Sequence, residues 1–153
     1  MATKRIPDGE PHIIPYLSVR DGTKALELYE KALGATVEAR SVTPDGKLIH
    51  GRLRIGNALF FVSDEFGPPG PAPAGTTVHV WSEDADVLWA QATAAGFEET
   101  MPLADQFWGD RYGQLRDPFG HKWSIGHRIE DLTPEEIERR GQEFFANMPK
   151  MPS

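Results

Sequence analysis

Three histidines, His12, His50 and His79, are the residues with the most obvious chemical capacity in this sequence. A three-imidazole set is an adequate donor set for zinc or iron. Their spacing is not local, so only a fold could bring them together. Each also has a simpler reading as a histidine that packs or hydrogen-bonds within a strand. A second group is Phe107-Trp108-Gly109-Asp110-Arg111-Tyr112. It reads either as a pocket lip carrying Trp108 and Tyr112, or as a turn whose Asp110 and Arg111 pair at the surface. Other chemistries find no support. No cysteine is present, which excludes disulfides, thiolate nucleophiles, Cys-ligated zinc and iron–sulfur clusters. There is no G-x-S-x-G, H-E-x-x-H or P-loop. Gly109 and Gly113 lack dinucleotide-fingerprint spacing, and Ser, His and Asp occur without triad context.

The elements that must position these residues come in two similar sets. Asp21 and Asp84 each follow a short apolar segment and precede a helical pattern, 63 residues apart. Gly34 and Gly96, each closing that helix, are 62 apart, as are Gly51-Arg52-Leu53-Arg54 and Gly113-Gln114-Leu115-Arg116. A nearly constant offset across three landmarks indicates an internal duplication.

In the first copy, His12–Val19 reads as a strand. Asp21 caps a helix over about 23–33, whose apolar face is Ala25, Leu26, Leu28, Tyr29, Ala32 and Leu33. Strands follow at Thr36–Val42, Lys47–Ile55 and Asn57–Ser63. In the second copy, Thr76–Ser82 is a strand, and a helix runs from Asp84 or Asp86 to about Ala95 with Val87, Leu88, Ala92 and Ala95 inward. Phe97–Met101, Gly109–Arg116 and His121–Ile125 complete it. The expected organisation is a βαβββ module over 11–65, a Pro/Gly-rich linker over 66–75, a second module over 76–128 and a helical tail over 131–147. In the tail, Thr133 as N-cap, Pro134 at N1 and Glu136 at N3 form a capping box, with Leu132 and Ile137 as a hydrophobic staple. Ile137, Gly141, Phe144 and Phe145 form the docking face of that helix.

A paired βαβββ repeat of this size resembles the vicinal oxygen chelate superfamily, which includes glyoxalase I, bleomycin-resistance proteins and extradiol dioxygenases. Residues 11–128 carry the resemblance. Pro15-Tyr16-Leu17-Ser18-Val19-Arg20-Asp21-Gly22, the Phe107–Gly113 stretch, Arg116-Asp117-Pro118-Phe119-Gly120-His121-Lys122-Trp123-Ser124 and Glu130–Glu136 are similar to its PhnB-like branch. The resemblance implies an α+β fold in which paired modules curve an eight-stranded sheet into a cup. In metal-dependent members, four inward His or Glu residues hold one divalent ion that polarises substrate oxygens. The corresponding positions here are Ile14, Phe61, Thr77 and Ser124. Ile and Phe have no lone pair to donate, and neutral hydroxyls are weak ligands for this purpose.

Strand alternation then sorts the neighbours of these positions. His79 shares a face with Thr77, and His12 with Ile14, while the facing of His50 is open. Tyr16, Phe61 and Trp81 share the inward parity, as an apolar wall for a planar ligand or as ordinary sheet core. Trp123 has the opposite parity to Ser124 and packs under the helices. Trp89 is core or interface, and Arg52, Arg54 and Arg116 are outward scaffold.

The functional expectation is a small-molecule binding protein of the bleomycin-resistance, PhnB-like type. It takes an apolar or aromatic ligand against Tyr16, His50, Phe61, His79, Trp81, Trp108, Tyr112 and Ser124, with no metal or other cofactor. The alternative is a metal-dependent lyase, isomerase or dioxygenase using the displaced set His12, His50 and His79. Lys and Arg number 16 against 23 Asp and Glu, a net charge of −7. That argues against nucleic acid as a partner, since phosphate neutralisation needs clustered cations. No run approaches the ~18 apolar residues of a membrane span, and Met1–Asp8 lacks a secretory apolar stretch. The expectation is a cytoplasmic homodimer.

Overall fold

The computed structural model describes residues 4–66, 70 and 75–148. The order of elements is β1 (Tyr16–Val19), α1 (Gly22–Leu33), β2 (Thr36–Val42), β3 (Leu48–Ile55), β4 (Ala58–Asp64), β5 (Thr77–Trp81), α2 (Ala85–Ala94), β6 (Glu98–Asp105), β7 (Asp110–Arg116), β8 (Lys122–Arg128) and α3 (Pro134–Ala146). This is the expected α+β pattern, βαβββ twice and then a helix. The strands form two four-stranded mixed sheets, β1-β4-β3-β2 and β5-β8-β7-β6. In each sheet the first strand pairs parallel to the last, and the other pairings are antiparallel. One compact unit holds β1–β4 and the other β5–β8. Most of the proposed 66–75 linker lies outside the described residues.

Each sheet has a helix face and an open face because side chains alternate along a strand. In the first unit Leu17, Val19, Leu53, Phe60 and Val62 are buried, as are Ala25, Leu26, Tyr29 and Ala32 of α1. Tyr29 meets Phe60 edge-on at 5.8 Å. Burying one such aliphatic or aromatic side chain contributes about 1.5–3 kcal/mol. In the second unit Val80, Leu115, Trp123 and Ile125 are buried with Ala85 and Ala92 of α2, and Phe97 packs on Trp123 at 6.3 Å.

The repeated glycines have a steric cause. A Cβ at Gly51 would lie 2.9 Å from Leu26 Cδ2, and one at Gly113 would lie 2.6 Å from the Trp89 ring and 2.8 Å from Leu103 Cα. Leu26 and Trp89 are themselves 63 residues apart. Each helix thus sets a large side chain directly over a strand residue that has none.

A second repeated device anchors the helix starts. The first N–H groups of a helix have no intrahelical acceptor. Asp64, buried at the end of β4, accepts from Gly22 N at 3.1 Å and from Leu48 N at 2.6 Å. His127, 63 residues later on β8, accepts from Ala85 N at 2.8 Å through Nδ1. That bond places the His127 proton on Nε2.

Several expectations are corrected. β1 begins at Tyr16, so His12 and Ile14 precede the strand. Pro11 and Pro15 flank them, and a prolyl nitrogen gives the ladder no donor. β6 continues past Met101 to Asp105. Pro102 falls in a register irregularity between Met101 and Ala104 on an outer strand, where a missing N–H is tolerated. In α2, Ala85 and Ala92 face the sheet while Val87 is 62% exposed, because two residues turn a helix by about 200°. Thr133 accepts from Glu136 N at 3.1 Å as expected. The Glu136 carboxylate instead takes Arg139 and Arg140, which hold it down at about 2, so only half of the capping box forms. α3 has no buried residue; it meets the second unit through Phe107, whose ring lies 5.1 Å from Phe144.

Candidate functional site

The open face of the first sheet carries a ring cluster. β1, β4 and β3 lie side by side, with Tyr16 opposite Phe61 and Phe61 opposite Arg52. His50 is two residues before Arg52, so it shares that face. Its ring centroid is 4.6 Å from that of Phe61 and 5.7 Å from that of Tyr16, and Tyr16 meets Phe61 edge-on at 5.6 Å. Tyr16 remains 52% exposed. Beside the rings, Glu38 accepts from Arg52 Nε at 3.0 Å and from Arg54 Nε at 2.8 Å. Arg52 and Arg54 are thus charged partners on this face rather than idle scaffold.

The second sheet repeats the arrangement with its residue types exchanged. His79, Tyr112 and Ser124 occupy the places that Tyr16, His50 and Phe61 hold in the first unit, at offsets of 62–63. His79 lies opposite Ser124, and Tyr112 opposite Gly126, which is also opposite Trp81. The His79 ring stacks on Tyr112 at 5.7 Å with planes 19° apart, and Trp81 meets it edge-on at 4.6 Å. A Cβ at Gly126 would come within 3.3 Å of His79 Cε1 and 2.8 Å of Arg111 O, so glycine there lets the two rings meet. His79 Nδ1 and the buried Ser124 hydroxyl share a 2.7 Å hydrogen bond. Gln114 Nε2 donates to the Tyr112 hydroxyl at 3.0 Å.

Trp108 extends this cluster, 5.4 Å from Tyr112, with its indole N–H donating to Asp110 Oδ2 at 3.1 Å. Asp110 and Arg111 do not pair with each other as the turn reading expected. Neighbouring strand residues point to opposite faces. Arg111 reaches Asp86 and Asp105, whereas Asp110 faces Arg128 at 3.7 Å. Asp110 Oδ1 is buried without a hydrogen bond. The Arg128 guanidinium sits 6.0 Å from the centre of the exposed Trp81 ring, within range of a cation–π contact.

Burial disfavours the charged form of His79 and pushes its pKa below 6.5, while the nearby Asp110 charge opposes the shift. Folding holds the neutral ring, so this contribution is present above the ordinary value near 6.5 and is lost as pH falls through the folded value. A proton NMR titration of the His79 ring is expected to show a midpoint below 6.5. Asp110→Asn should lower it further, and an upward shift would contradict the assignment.

The residues at the family-like metal positions do not fit a divalent ion. Ile14 precedes β1, Phe61 is part of a ring cluster, and the Ser124 hydroxyl is committed to His79. Among the described residues, no three His, Cys, Asp or Glu side chains form a metal-sized group. His12 is exposed ahead of β1, and His50 and His79 each sit among rings of their own unit. A separate groove of about 390 Å³ lies between α1 and β2, bordered by Glu27, Glu30, Glu38 and Arg40. It contains none of the sequence-nominated residues. Trp123 packs on the helix side, 1% exposed, and Trp89 covers Gly113. Sequence reasoning missed Gln114, Gly126 and Arg128 at the second face. Their even spacing from Ser124 or Tyr112 was the available signal.

Comparison with known proteins agrees with this architecture. Residues 11–125 match the family model described as the glyoxalase/bleomycin resistance protein/dioxygenase superfamily. The chain is 36% identical over 138 residues to the uncharacterized protein Rv0887c of Mycobacterium tuberculosis, covering 84% of this chain and 81% of that one. It superposes on TioX from Micromonospora sp. ML1 with a TM-score of 0.62 and 28% identity, over 80% of this chain and all of that one. The PhnB protein of Bacillus cereus gives a TM-score of 0.63 at 18% identity, over 76% and 99% of the two chains, a likeness of fold. Because that family model spans most of the chain, residues 11–125, and the chain carries two βαβββ units, it belongs to the glyoxalase/bleomycin resistance protein/dioxygenase superfamily.

Proposed function

We propose that this protein is a metal-independent small-molecule binding protein of the bleomycin-resistance, PhnB-like type, holding a planar aromatic ligand against a ring-lined sheet face. The observation that carries the reading is the pair of ring clusters built around Phe61 and Ser124. Metal-dependent relatives would place ligands at these positions; here they hold a phenyl ring and a hydroxyl bound to His79. The exposed Trp81 and Tyr16 offer stacking surfaces, and His79 and the Tyr112 hydroxyl offer polar handles that orient a ligand. The PhnB-like strings around Tyr16, Trp108 and Asp117 support the narrower branch. A homodimer fits the exposed Phe144 and Phe145 of α3.

Protein purified without chelators is expected to carry well under one equivalent of zinc, nickel, manganese or iron by elemental analysis. It should bind a neutral aromatic probe such as 2-naphthol equally with and without EDTA. His79→Ala is expected to weaken that binding by up to about tenfold, the scale of one lost aromatic contact. One equivalent of tightly held metal, with binding lost in EDTA, would overturn the proposal.

A further inference from the structure

Arg52 lies beside the first ring cluster, directly opposite Phe61 across the β3–β4 pair. Its Nε is committed to Glu38, which also holds Arg54. Its two terminal nitrogens are taken end-on by Glu10, Nη1 to Oε2 at 3.1 Å and Nη2 to Oε1 at 2.5 Å. Glu10 comes from a segment ahead of β1 with no helix or strand, fixed locally by a Glu10 N to Pro7 O turn bond of 3.3 Å. The other charged side chain of that turn, Asp8, stays in solvent, whereas the Glu10 side chain is only 19% exposed. The Arg52 hydrogen bond is also the main reason the Glu10 carboxyl lies below its ordinary range.

A guanidinium end holding a carboxylate through two parallel N–H bonds is a recognition geometry for planar anions. Here the carboxylate belongs to the chain itself and lies beside rings suited to an aromatic body. The four side chains Glu10, Glu38, Arg52 and Arg54 together carry no net charge. Withdrawing Glu10 leaves one positive charge at the edge of the ring cluster. We infer that Arg52 is the anion-recognition residue of this face, that its ligand class is an aromatic carboxylate or similar planar anion, and that Glu10 is the internal carboxylate such a ligand displaces. The inference rests on the reading of the ring-lined face as a binding surface and adds the charge of the ligand to it.

An internal competitor lowers apparent affinity in proportion to how fully it occupies the site. The test titrates 2-naphthoate and uncharged 2-naphthol into the full chain, Glu10→Ala and Glu10→Ala/Arg52→Gln. The expected result is that Glu10→Ala binds 2-naphthoate about tenfold more tightly than the unaltered protein. The added Arg52→Gln should abolish the gain, and 2-naphthol should bind all three alike, which also reports that the variants fold. If 2-naphthol binds but 2-naphthoate gains nothing in Glu10→Ala, or keeps its gain without Arg52, the anion assignment is wrong and the ring-face reading stands. If neither probe binds any of the three, the ring-face reading fails and the assignment goes with it.

Discussion

Trp123→Ala is expected to cost about 3–5 kcal/mol of unfolding free energy, the range for removing a large aromatic side chain from a core. Trp123 is 1% exposed in the second unit and packs on Phe97. Its loss also has a polar component. The indole N–H donates to Asp117 Oδ2 at 2.9 Å. The other carboxylate oxygen accepts from Phe119 N at 2.9 Å and His121 N at 3.0 Å, closing the turn before β8. Asp117 is 3% exposed, so water does not readily replace the lost donor. Trp123→Phe keeps most of the apolar contact and loses that bond, and should fall in between, at about 1–3 kcal/mol. Urea denaturation followed by far-ultraviolet circular dichroism measures both. A loss below about 1 kcal/mol for the alanine variant would show that the turn and the core are not coupled through this ring.

Asp64→Ala should rank next, at about 2–6 kcal/mol, because it strands two buried donors at about 1–3 kcal/mol each. Gly22 N and Leu48 N both end on this one carboxylate. Its removal therefore detaches the start of α1 and the start of β3 together. Asp64→Asn retains an acceptor oxygen and should lose roughly half as much. Hydrogen exchange gives the local readout: the Gly22 and Leu48 amides are expected to exchange faster in Asp64→Ala, even under conditions where the unit remains folded. Unchanged protection at both amides would rule out the anchoring role.

These anchors also show what the sequence could disclose. Asp21, Asp84 and Thr133 start their helices where local capping chemistry says they should, with side chains accepting from Lys24, Val87 and Glu136. The constant offset was readable because the same steric demand recurs at Gly51 and Gly113. Asp64 and His127 obey the same offset, yet their shared task was hidden because an aspartate and a histidine do not look alike. Each accepts from the first N–H group of its unit's helix, Gly22 N or Ala85 N. β1 starts later than the strand-like character of Ile13 and Ile14 suggests, and Ile13 is 88% exposed. The parity of Tyr16, Phe61, His79 and Trp81 followed from strand alternation. The Glu10–Arg52 pair joins residues 42 apart and leaves no local trace.

The irregular outer strands have a further consequence. β2 slips register between Val37 and Ala39 and again between Ser41 and Val42. β6 does so between Glu99 and Met101 and across Pro102. A straight outer strand offers an unbroken row of N–H and C=O groups, on which a neighbouring chain can polymerise. Here the row is broken twice on each strand, and charged side chains such as Glu38, Arg40, Glu98 and Glu99 stud it. These kinks make both strands poor templates for amyloid-like growth.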